Sequence, residues 1–423
     1  MLHQICAIKS KPMSLDQNLA SRPHAEDGGA LSGLKVLDLS RVLAGPWCGQ
    51  LLGDLGAEVI KVESPRGGDD TRAWGPPFLE GESAYFLGCN RNKQGMAIDF
   101  SSESGKDLLA KLIPQFDVLI ENFKNGTLEK WGFDKAWFEK RAPKIVHCSI
   151  TGYGSDGPQS DLPGYDFILQ AESGLMGISG PSNGDPTKYG VAIVDLATGM
   201  MAANAIQAAL IARYRTGKGQ FVEVSLFDTS IALLANVGNS HLATGNEAGR
   251  YGNGHPTIVP YTTYNCIDGM IALAVGNDKQ FAKLSKLLGH SEWAEDDRLI
   301  TNAARVKNRA LIDQLLQEVI RTYTSSEFIA SCRAIGIPIG KVNTVSQALA
   351  LEQTNARRMI LKMQHPKIGE FQSLASPLKL HGTKNTVKNA PPQLGEHTDV
   401  ILKKYLDLTP GELVALREKK VIG

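Results

Sequence analysis

One carboxylate, that of Asp195, lies inside the apolar run YGVAIVDLATGMMAANAIQAAL, which covers residues 189–210. The apolar residues before Asp195 predict a strand-like run, and a helix is predicted to begin near Thr198. As the N-cap of that helix, the Asp195 side chain would accept backbone N–H groups and would need no catalytic role. The same N–H groups would also keep it ionised at the open end of a parallel sheet, where α/β proteins bind ligands. Asp166 is a second acid upstream, and two carboxylates in different environments can act as nucleophile and helper. The residues alone leave both roles of Asp195 open.

Four glycine-containing segments could bind an anion or cover a reaction site. In RVLAGP (41–46) a helix opens after a strand, and free N–H groups at a helix N-terminus bind phosphate. SPRGGDDTR (64–72) places Arg66 on a glycine loop, where the guanidinium could meet a phosphate or be solvated. GNGHP (252–256) is either a surface linker or a lid that shields a reactive intermediate. GYGSDG (152–157) matches GxGxxG, but Pro158 follows it instead of an amphipathic helix, so a glycine-rich turn is favoured over a dinucleotide site.

The composition indicates a globular chain without a global electrostatic field. The 423 residues are 42% hydrophobic and 21% charged, with a formal net charge of +1, which argues against nucleic acid or an anionic membrane as a partner. Six scattered cysteines form no CxxC pair and no spacing that suits zinc, so we expect no metal site and a reducing, cytoplasmic location. We also expect no transmembrane helix, because no apolar run approaches about 20 residues.

The elements that must position these residues alternate between strand and helix. From residue 33 the pattern predicts a strand at 34–39, a helix opening at Gly45-Pro46 and a strand at 58–62, which is a βαβ unit. Further strands are predicted at 117–121, 145–150 and 221–226, with helices at 104–112 and 198–214. Such alternation is typical of a mostly parallel, doubly wound sheet.

The pattern changes after the Gly/Asn-rich segment at 245–256. A strand pair within 262–275, three helices between 278 and 335, and a strand at 339–343 predict a smaller α+β unit. The predicted layout is a disordered tail (1–30), the N-terminal part of a large α/β domain (31–228), a linker with the Gly loop (229–257), a small domain (258–350) and a C-terminal return to the large domain (351–423).

Several longer blocks of the sequence occur together and in order. They include RVLAGP, GDLGAEVIKVE, GGDDTRAWGPPF, NRNK, DVLIENF, ITGYGSDGP, VAIVDLATG, RTGKGQFVEVSL and LGEHTDVIL. In this respect the chain resembles the family III CoA-transferases, which include formyl-CoA transferase and carnitine CoA-transferase. The resemblance runs from about residue 33 to the C-terminus.

The resemblance implies a role for Asp195, which matches the catalytic aspartate of that family. This carboxylate would attack an acyl-CoA thioester to give a mixed aspartyl anhydride and free CoA, followed by an aspartyl-CoA thioester. A carboxylate becomes a useful nucleophile in a dry site, and the glycines Gly252 and Gly254 would belong to a loop that keeps water from the anhydride. CoA is then a substrate, and no permanently bound cofactor is implied.

The resemblance carries over further positions one at a time. Those expected to bind CoA are Arg41, Val42, Leu43, Ala44, Ile98, Asn122 and Lys130, beside Arg66 from its glycine loop. Those expected to line the acceptor pocket are Trp74, Tyr85, Tyr165, Asp166 and Arg250. Arg41 and Leu43 replace a His and a Gln of formyl-CoA transferase, and GNG stands where that enzyme has a longer run of glycines. The loss of the Gln at Leu43 and of those glycines argues against an oxalate-type transferase, although that alternative is kept.

Another alternative of the same fold is the α-methylacyl-CoA racemases. They also use an acid at the Asp195 position, but they pair it with a His where this chain has Tyr165, and a neutral phenol is a poor base near pH 7. A paralogue that binds acyl-CoA without turnover is disfavoured by the intact Asp195.

Within the transferases, GDDTRAWGPPF, NRNK and VAIVDLATG most resemble the succinyl-CoA:dicarboxylate enzymes of the glutarate type. The resemblance therefore implies succinyl-CoA as donor and a dicarboxylate or related acid as acceptor, with Arg72, Arg91 or Arg250 as candidate cations for the distal acid. It also implies ring-shaped chains that form an interlocked homodimer.

Overall fold

The computed structural model describes residues 28–385 and 387–423. Most of the predicted disordered tail, residues 1–27, lies outside these ranges. The strands of the described residues are β1 (Lys35–Asp38), β2 (Glu58–Glu63), β3 (Phe78–Leu79), β4 (Glu82–Ser83), β5 (Lys93–Ala97), β6 (Val118–Glu121), β7 (Val146–Thr151), β8 (Gln220–Ser225), β9 (Tyr261–Cys266), β10 (Gly269–Ala274), β11 (Ile339–Lys341), β12 (Ile360–His365) and β13 (Gly369–Leu374).

The helices of the same residues are α1 (Ala44–Asp54), α2 (Ala84–Cys89), α3 (Glu103–Leu112), α4 (Thr127–Lys130), α5 (Lys135–Arg141), α6 (Asp166–Glu172), α7 (Leu175–Ile178), α8 (Ile193–Thr216), α9 (Leu226–Ala232), α10 (Ala235–Thr244), α11 (Asp278–Leu287), α12 (Asn302–Lys307), α13 (Arg309–Ile320), α14 (Ser325–Ala334), α15 (Val345–Ala350), α16 (Glu352–Ala356), α17 (Thr398–Leu406) and α18 (Pro410–Glu418).

The main sheet has six strands in the order β5-β2-β1-β6-β7-β8, and every pair in it is parallel. Numbered along the chain, these strands have the order 3-2-1-4-5-6, in which the winding direction reverses between β1 and β6. Open α/β sheets bind their ligands at the carboxyl ends of the strands at this switch point. The α/β fold with a large parallel sheet, predicted from the alternating pattern, is confirmed.

Helices cover both faces of this sheet, because alternate strand residues point to opposite sides. On one face Leu37 and Leu119 pack with residues of α3 and α17. On the other face Val36 and Val118 pack with residues of α1, α8 and α9. Ile401 of α17 belongs to the first cluster, so the C-terminal segment packs against the same sheet as the N-terminal strands.

A separate hydrophobic cluster forms around the antiparallel sheet β11-β10-β9. Its buried residues extend from Val259 to Ile337, and they include Phe281 of α11 and Phe328 of α14. Arg305 is fully buried there and donates to the carbonyl oxygen of Val259 at 2.7 Å. β12 and β13 form a hairpin whose Phe371 packs with Leu87 of α2. The exact domain boundaries predicted from the sequence stay a prediction.

One element of the sequence analysis was wrong. The apolar residues around 191–195 were read as strand-like, whereas α8 begins at Ile193 and already contains Asp195 in its first turn. The N-cap of α8 is Ala192, and its side chain makes no capping hydrogen bond. From Ile193 onward the apolar run is therefore part of a long helix that packs along α1, and Asp195 is not its N-cap.

The length of α8 corrects the statement that no apolar run approaches about 20 residues. This helix of 24 residues is long and apolar enough, by length and composition, to cross a membrane. Core helices of soluble proteins meet the same test, so the finding by itself assigns no location. Within the chain, α8 buries Val194, Ala202 and Ile206 and leaves Ile211 and Tyr214 exposed.

Candidate active site

The loop between β1 and α1 lies at the switch point of the sheet. The backbone N–H of Arg41 donates to Oδ1 of Asn122 at 2.9 Å, and Nδ2 of Asn122 donates to the carbonyl oxygen of Arg41 at 2.8 Å. Asn122 directly follows β6, so these two hydrogen bonds join the ends of β1 and β6. The side chain of Leu43, the N-cap residue of α1, makes no capping hydrogen bond, so the first N–H groups of α1 are not capped by this residue.

A cavity of about 570 Å³ opens beside this loop. The volume lies in the range of small-molecule sites, roughly 300–1,000 Å³. The cavity brings together several of the residues predicted for the site, from the CoA group and from the acceptor group. These are Arg41, Val42, Leu43, Ala44, Asn122, Lys130, Tyr165 and Asp195.

Asp195 is a partly buried carboxylate on the wall of this cavity. Burial raises its pKa to about 7, and the negative charge of Asp166 adds to the shift. A desolvated carboxylate is a stronger nucleophile than a hydrated one but is ionised over a narrower pH range. This combination is typical of a functional carboxylate rather than of a surface acid.

Asp166 provides the cap that the N-cap residue of α8 does not. Its Oδ1 accepts the backbone N–H of Val194 at 2.7 Å and that of Asp195 at 3.3 Å. Its Oδ2 accepts Nε2 of Gln170 at 2.6 Å, and Oε1 of Gln170 accepts the N–H of Tyr189 at 2.8 Å. Asp166 is buried and does not belong to the cavity wall, so in this structure it orients α8 rather than contacting the cavity.

Of the three predicted aromatic residues, only Tyr165 is among the described residues that line the cavity. Trp74 and Tyr85 form an edge-to-face pair with their ring centroids 5.3 Å apart. Burial raises the pKa of Tyr85, and the negative charge of Asp195 adds to this shift. Tyr165 is 60% exposed and lies on the cavity wall just before α6.

The Gly loop contacts the segment that leads into α8. The guanidinium of Arg250 donates to the carbonyl oxygens of Pro181 and Gly184. The N–H of Gly252 donates to the carbonyl oxygen of Gly180 at 3.1 Å. Gly252, Gly254 and Arg250 do not line the cavity of this single chain. Gly252 has a φ of +58°, a conformation that favours glycine.

Two residues predicted to bind CoA lie apart from the cavity. The Arg66 guanidinium donates to Asp99 and to Ser101, each at 2.8 Å, on an exposed surface. Ile98 is fully buried and packs with residues of the main core, so its side chain has no exposed surface with which to contact a ligand.

Two of the three cations suggested for the distal acid are already paired. Arg91 is buried and binds Asp54 through two hydrogen bonds of 2.9 and 2.5 Å. Arg72 binds Glu63 at 2.8 and 2.7 Å and stacks on the ring of Phe86. Both arginines are structural, and their suggested role in binding substrate is wrong because buried ion pairs hold their guanidinium groups away from the cavity.

The sequence analysis assigned no role to four buried charges behind the 40–46 loop. They form the ion pairs Lys61–Asp69 and Lys93–Asp38, each at 2.9 Å with fully buried side chains. Burial would raise the pKa of Asp69, but the charge of Lys61 and the hydrogen bonds from Lys61 and Thr71 together outweigh this effect and lower the pKa to about 2. A signal was present in the sequence, because Lys61 interrupts the apolar strand EVIKVE and a lysine is almost never buried without a partner.

No group of three or more His, Cys, Asp or Glu side chains that could hold a metal ion occurs within 28–385 and 387–423.

Comparison with known proteins places this geometry in a family. The sequence profile described as CoA-transferase family III matches residues 31–398. The chain is 41% identical over 388 residues to the human succinyl-CoA:glutarate CoA-transferase, covering 91% of this chain and 89% of the relative. It is also 41% identical over 378 residues to the succinate–glutarate CoA-transferase of Agrobacterium fabrum, covering 88% of this chain and 94% of the relative.

A solved structure shows the same fold. The CAIB/BAIF family protein from Brucella suis superimposes with a TM-score of 0.81 at 44% sequence identity, covering 90% of this chain and all of that chain. The profile match, the relatives aligned over most of the chain and the shared fold all indicate the same family. The chain therefore belongs to the family III CoA-transferases and is an enzyme of that class.

Proposed function

We propose that the enzyme moves CoA from succinyl-CoA to a dicarboxylate of the glutarate type, with Asp195 as the covalent nucleophile. The observation that supports this proposal most directly is the position of Asp195 in the cavity beside the Arg41–Ala44 loop. The names of two long relatives, both succinyl- or succinate–glutarate CoA-transferases, support the choice of acids.

The proposed chemistry uses the Asp195 carboxylate in four steps. An oxygen of Asp195 attacks the thioester carbonyl of succinyl-CoA, the C–S bond breaks, and a succinyl-aspartyl anhydride and CoA thiolate form. The thiolate attacks the aspartyl carbonyl and releases succinate, which leaves an aspartyl-CoA thioester. The acceptor carboxylate attacks this thioester, giving a second anhydride and CoA thiolate. The thiolate then attacks the acceptor carbonyl, which forms the new acyl-CoA and restores Asp195.

Electrostatics and water exclusion support these steps. Desolvation strengthens Asp195 as a nucleophile, and an anhydride persists only where water is excluded. Ala44, the first residue of α1, lines the cavity, and the partial positive charge of a helix N-terminus would stabilise an oxyanion or a phosphate there.

Arg41 is the cation we propose for the distal carboxylate of both acids. It lines the cavity with Asp195, its side chain is 53% exposed, and its contact with Asp70 is long at 3.4 Å. Succinyl and glutaryl groups each carry such a carboxylate and occupy the same position in turn, so one cation can serve both. Lys124 and Lys130 on the same wall are then available to the CoA phosphates.

The enzyme is further proposed to act as a homodimer of interlocked chains. Exposed apolar side chains on β8, α8 and α10 support this assembly. α10 buries none of its residues within the chain, and Leu242 on it is 83% exposed. Phe221 of β8 and Tyr214 of α8 are also largely exposed, and large apolar side chains of this kind are typically covered in protein interfaces.

The test is a mass-spectrometric assay for new acyl-CoA with succinyl-CoA and a panel of carboxylic acids. We expect glutaryl-CoA from the wild type and none from Asp195→Ala. Asp161 is a second acid on the same cavity wall, and Asp161→Ala is the matched control that should retain turnover. Hydroxylamine quenching during turnover should label the peptide that contains Asp195.

Two outcomes would contradict the proposal. Transfer by Asp195→Ala at the wild-type rate would exclude the covalent role. Exchange of the α-proton of a 2-methylacyl-CoA in deuterated water, without CoA transfer, would instead indicate a racemase.

A further inference from the structure

Val42 has a backbone conformation that is strained for its side chain. Its φ is +71°, in the left-handed region that β-branched residues rarely adopt. Val42 lies on the cavity wall between Arg41 and the N-cap of α1. Strained residues persist only where the surrounding structure holds them, and they occur preferentially at functional sites.

The side chain of Asp69 holds this residue. Both carboxylate oxygens accept the backbone N–H of Val42, at 3.2 and 3.3 Å. Oδ2 also accepts Nζ of Lys61 at 2.9 Å, and Oδ1 accepts the N–H and hydroxyl of Thr71 at 3.0 and 2.8 Å. Asp69 is fully buried and does not line the cavity, so it acts on the loop from behind.

The two buried lysines fix the loop at both of its ends. Lys61 donates to the carbonyl oxygen of Ser40 at 2.9 Å, immediately before Arg41. Lys93 donates to the carbonyl oxygen of Pro46 at 2.8 Å, after the loop has become α1. Lys93 also binds Asp38, which accepts the N–H of Ser40. The charges therefore surround the loop on the side away from the cavity.

We propose that Asp69, held by Lys61, is a positioning residue that keeps Val42 in its left-handed conformation and so presents residues 42–44 to the CoA portion of the substrate. The inference rests on the proposed function, because the ligand of this loop is taken to be CoA. Asp69 touches no reacting atom, so its loss should weaken CoA binding and leave the chemical step largely intact.

Asp69→Asn tests this inference. Asparagine has the same volume but places an N–H₂ donor where Oδ2 accepts from Lys61 and Val42. We expect the Kd for CoA, measured by calorimetry, and the KM for succinyl-CoA to rise at least tenfold, with kcat within about threefold of wild type.

Asp54→Asn is the matched control. Asp54 is as buried as Asp69 and also pairs with a cation, Arg91, but it lies at the other end of α1 from the loop. Both variants should lose stability, because each leaves a buried cation without its partner. Only Asp69→Asn should change the affinity for CoA.

A double-mutant cycle with Val42→Gly separates positioning from general damage. Glycine adopts a positive φ without strain, so Asp69→Asn should weaken CoA binding less in the Val42→Gly background than in the wild type. If Asp69→Asn does not fold, Thr71→Val carries the test, since it removes one donor to Asp69 and should weaken CoA binding two- to fivefold.

The inference is overturned if Asp69→Asn, or Thr71→Val in its place, binds CoA as the wild type does. It is also overturned if the loss in affinity equals that of Asp54→Asn or is the same in both backgrounds. Failure of the wild type to bind CoA would instead remove the proposed function, so the two failures are distinguishable.

Discussion

At the scale of single residues, the paired acids Asp195 and Asp166 have different environments and different tasks. Asp166 accepts two backbone N–H groups from the start of α8, which compensates its charge. Asp195 lies on the cavity wall and carries the raised pKa. The carboxylate that faces the cavity is thus desolvated, while its neighbour both orients it and repels its charge.

The raised pKa of Asp195 predicts a pH profile. We expect kcat/KM for the acyl-CoA to rise with pH through an apparent pKa of about 7, because only the ionised carboxylate attacks the thioester. Asp166→Asn removes one negative charge and should move the midpoint to lower pH. Initial rates between about pH 5.5 and 9 measure both profiles, and identical midpoints would contradict the contribution of Asp166.

Arg41 offers a test of substrate choice. Because it lines the cavity and retains exposed surface, Arg41→Met should raise the KM for succinyl-CoA and for glutarate about tenfold or more, as expected for a lost charge-assisted contact. The KM for acetyl-CoA, which has no distal carboxylate, should change much less. Lys124→Met on the same wall should affect both acyl-CoAs alike, and equal effects of Arg41→Met on both would contradict the assignment.

At the scale of elements, the site depends on the contact between α1 and α8. α1 begins directly after the 41–43 loop and α8 carries Asp195 in its first turn, so the distance between the two helices sets the distance across the cavity. Gly199 of α8 packs directly against the first turn of α1. A Cβ built there would be 2.5 Å from the carbonyl oxygen of Ala44 and 3.2 Å from Cβ of Trp47.

We therefore predict that Gly199→Ala pushes the two helices apart. Overpacking of this kind destabilises by about 1–3 kcal/mol, and a displacement near 1 Å at a reacting group can lower the rate about a hundredfold. Thermal unfolding and kcat measure the two effects. Gly88→Ala in α2 is the control, since a Cβ there meets no atom within 4 Å. Wild-type kcat and stability in Gly199→Ala would contradict this role.

At the scale of the whole molecule, both ends of the described chain contribute to one core. Ile98, next to β5, forms a bridge with Ile422, and Val421 packs in the same cluster as Leu37. The opposite face of the sheet carries α8 and α9, and large apolar side chains such as Ile211 and Tyr214 of α8 stay exposed. These exposed side chains support the proposed dimer.

The proposed assembly predicts a mass of two chains in solution. Leu242→Glu places a charge on α10, where the side chain is 83% exposed in the single chain, and should shift the protein toward monomer at micromolar concentration because a charge buried in an interface is unfavourable. Val400→Glu on α17, on the other face of the sheet, is the control and should leave the mass unchanged. Light scattering after gel filtration decides, and a monomeric wild type would contradict the dimer.

The sequence by itself determined the fold class, the family and the identity of the acid on which the reaction is proposed. The order of residues along short segments is sufficient for these conclusions. The predicted strands at 34–39, 58–62 and 145–150 differ from β1, β2 and β7 by no more than one residue at each end. Their bounds were predictable because the apolar runs end at polar or glycine residues. The prediction of a strand-like run before Asp195 failed because a short apolar run has no periodicity that separates strand from helix.

Only the tertiary structure decided which charges are free to act. The sequence does not show which of three arginines is free to bind a substrate. Arg72 and Arg91 are held in buried ion pairs, whereas Arg41 lines the cavity. The cap of α8 by Asp166 and the support of Val42 by Asp69 likewise join residues that are remote along the chain. Burial and pairing depend on such long-range contacts, and they decide whether a charged side chain stabilises the fold or meets a substrate.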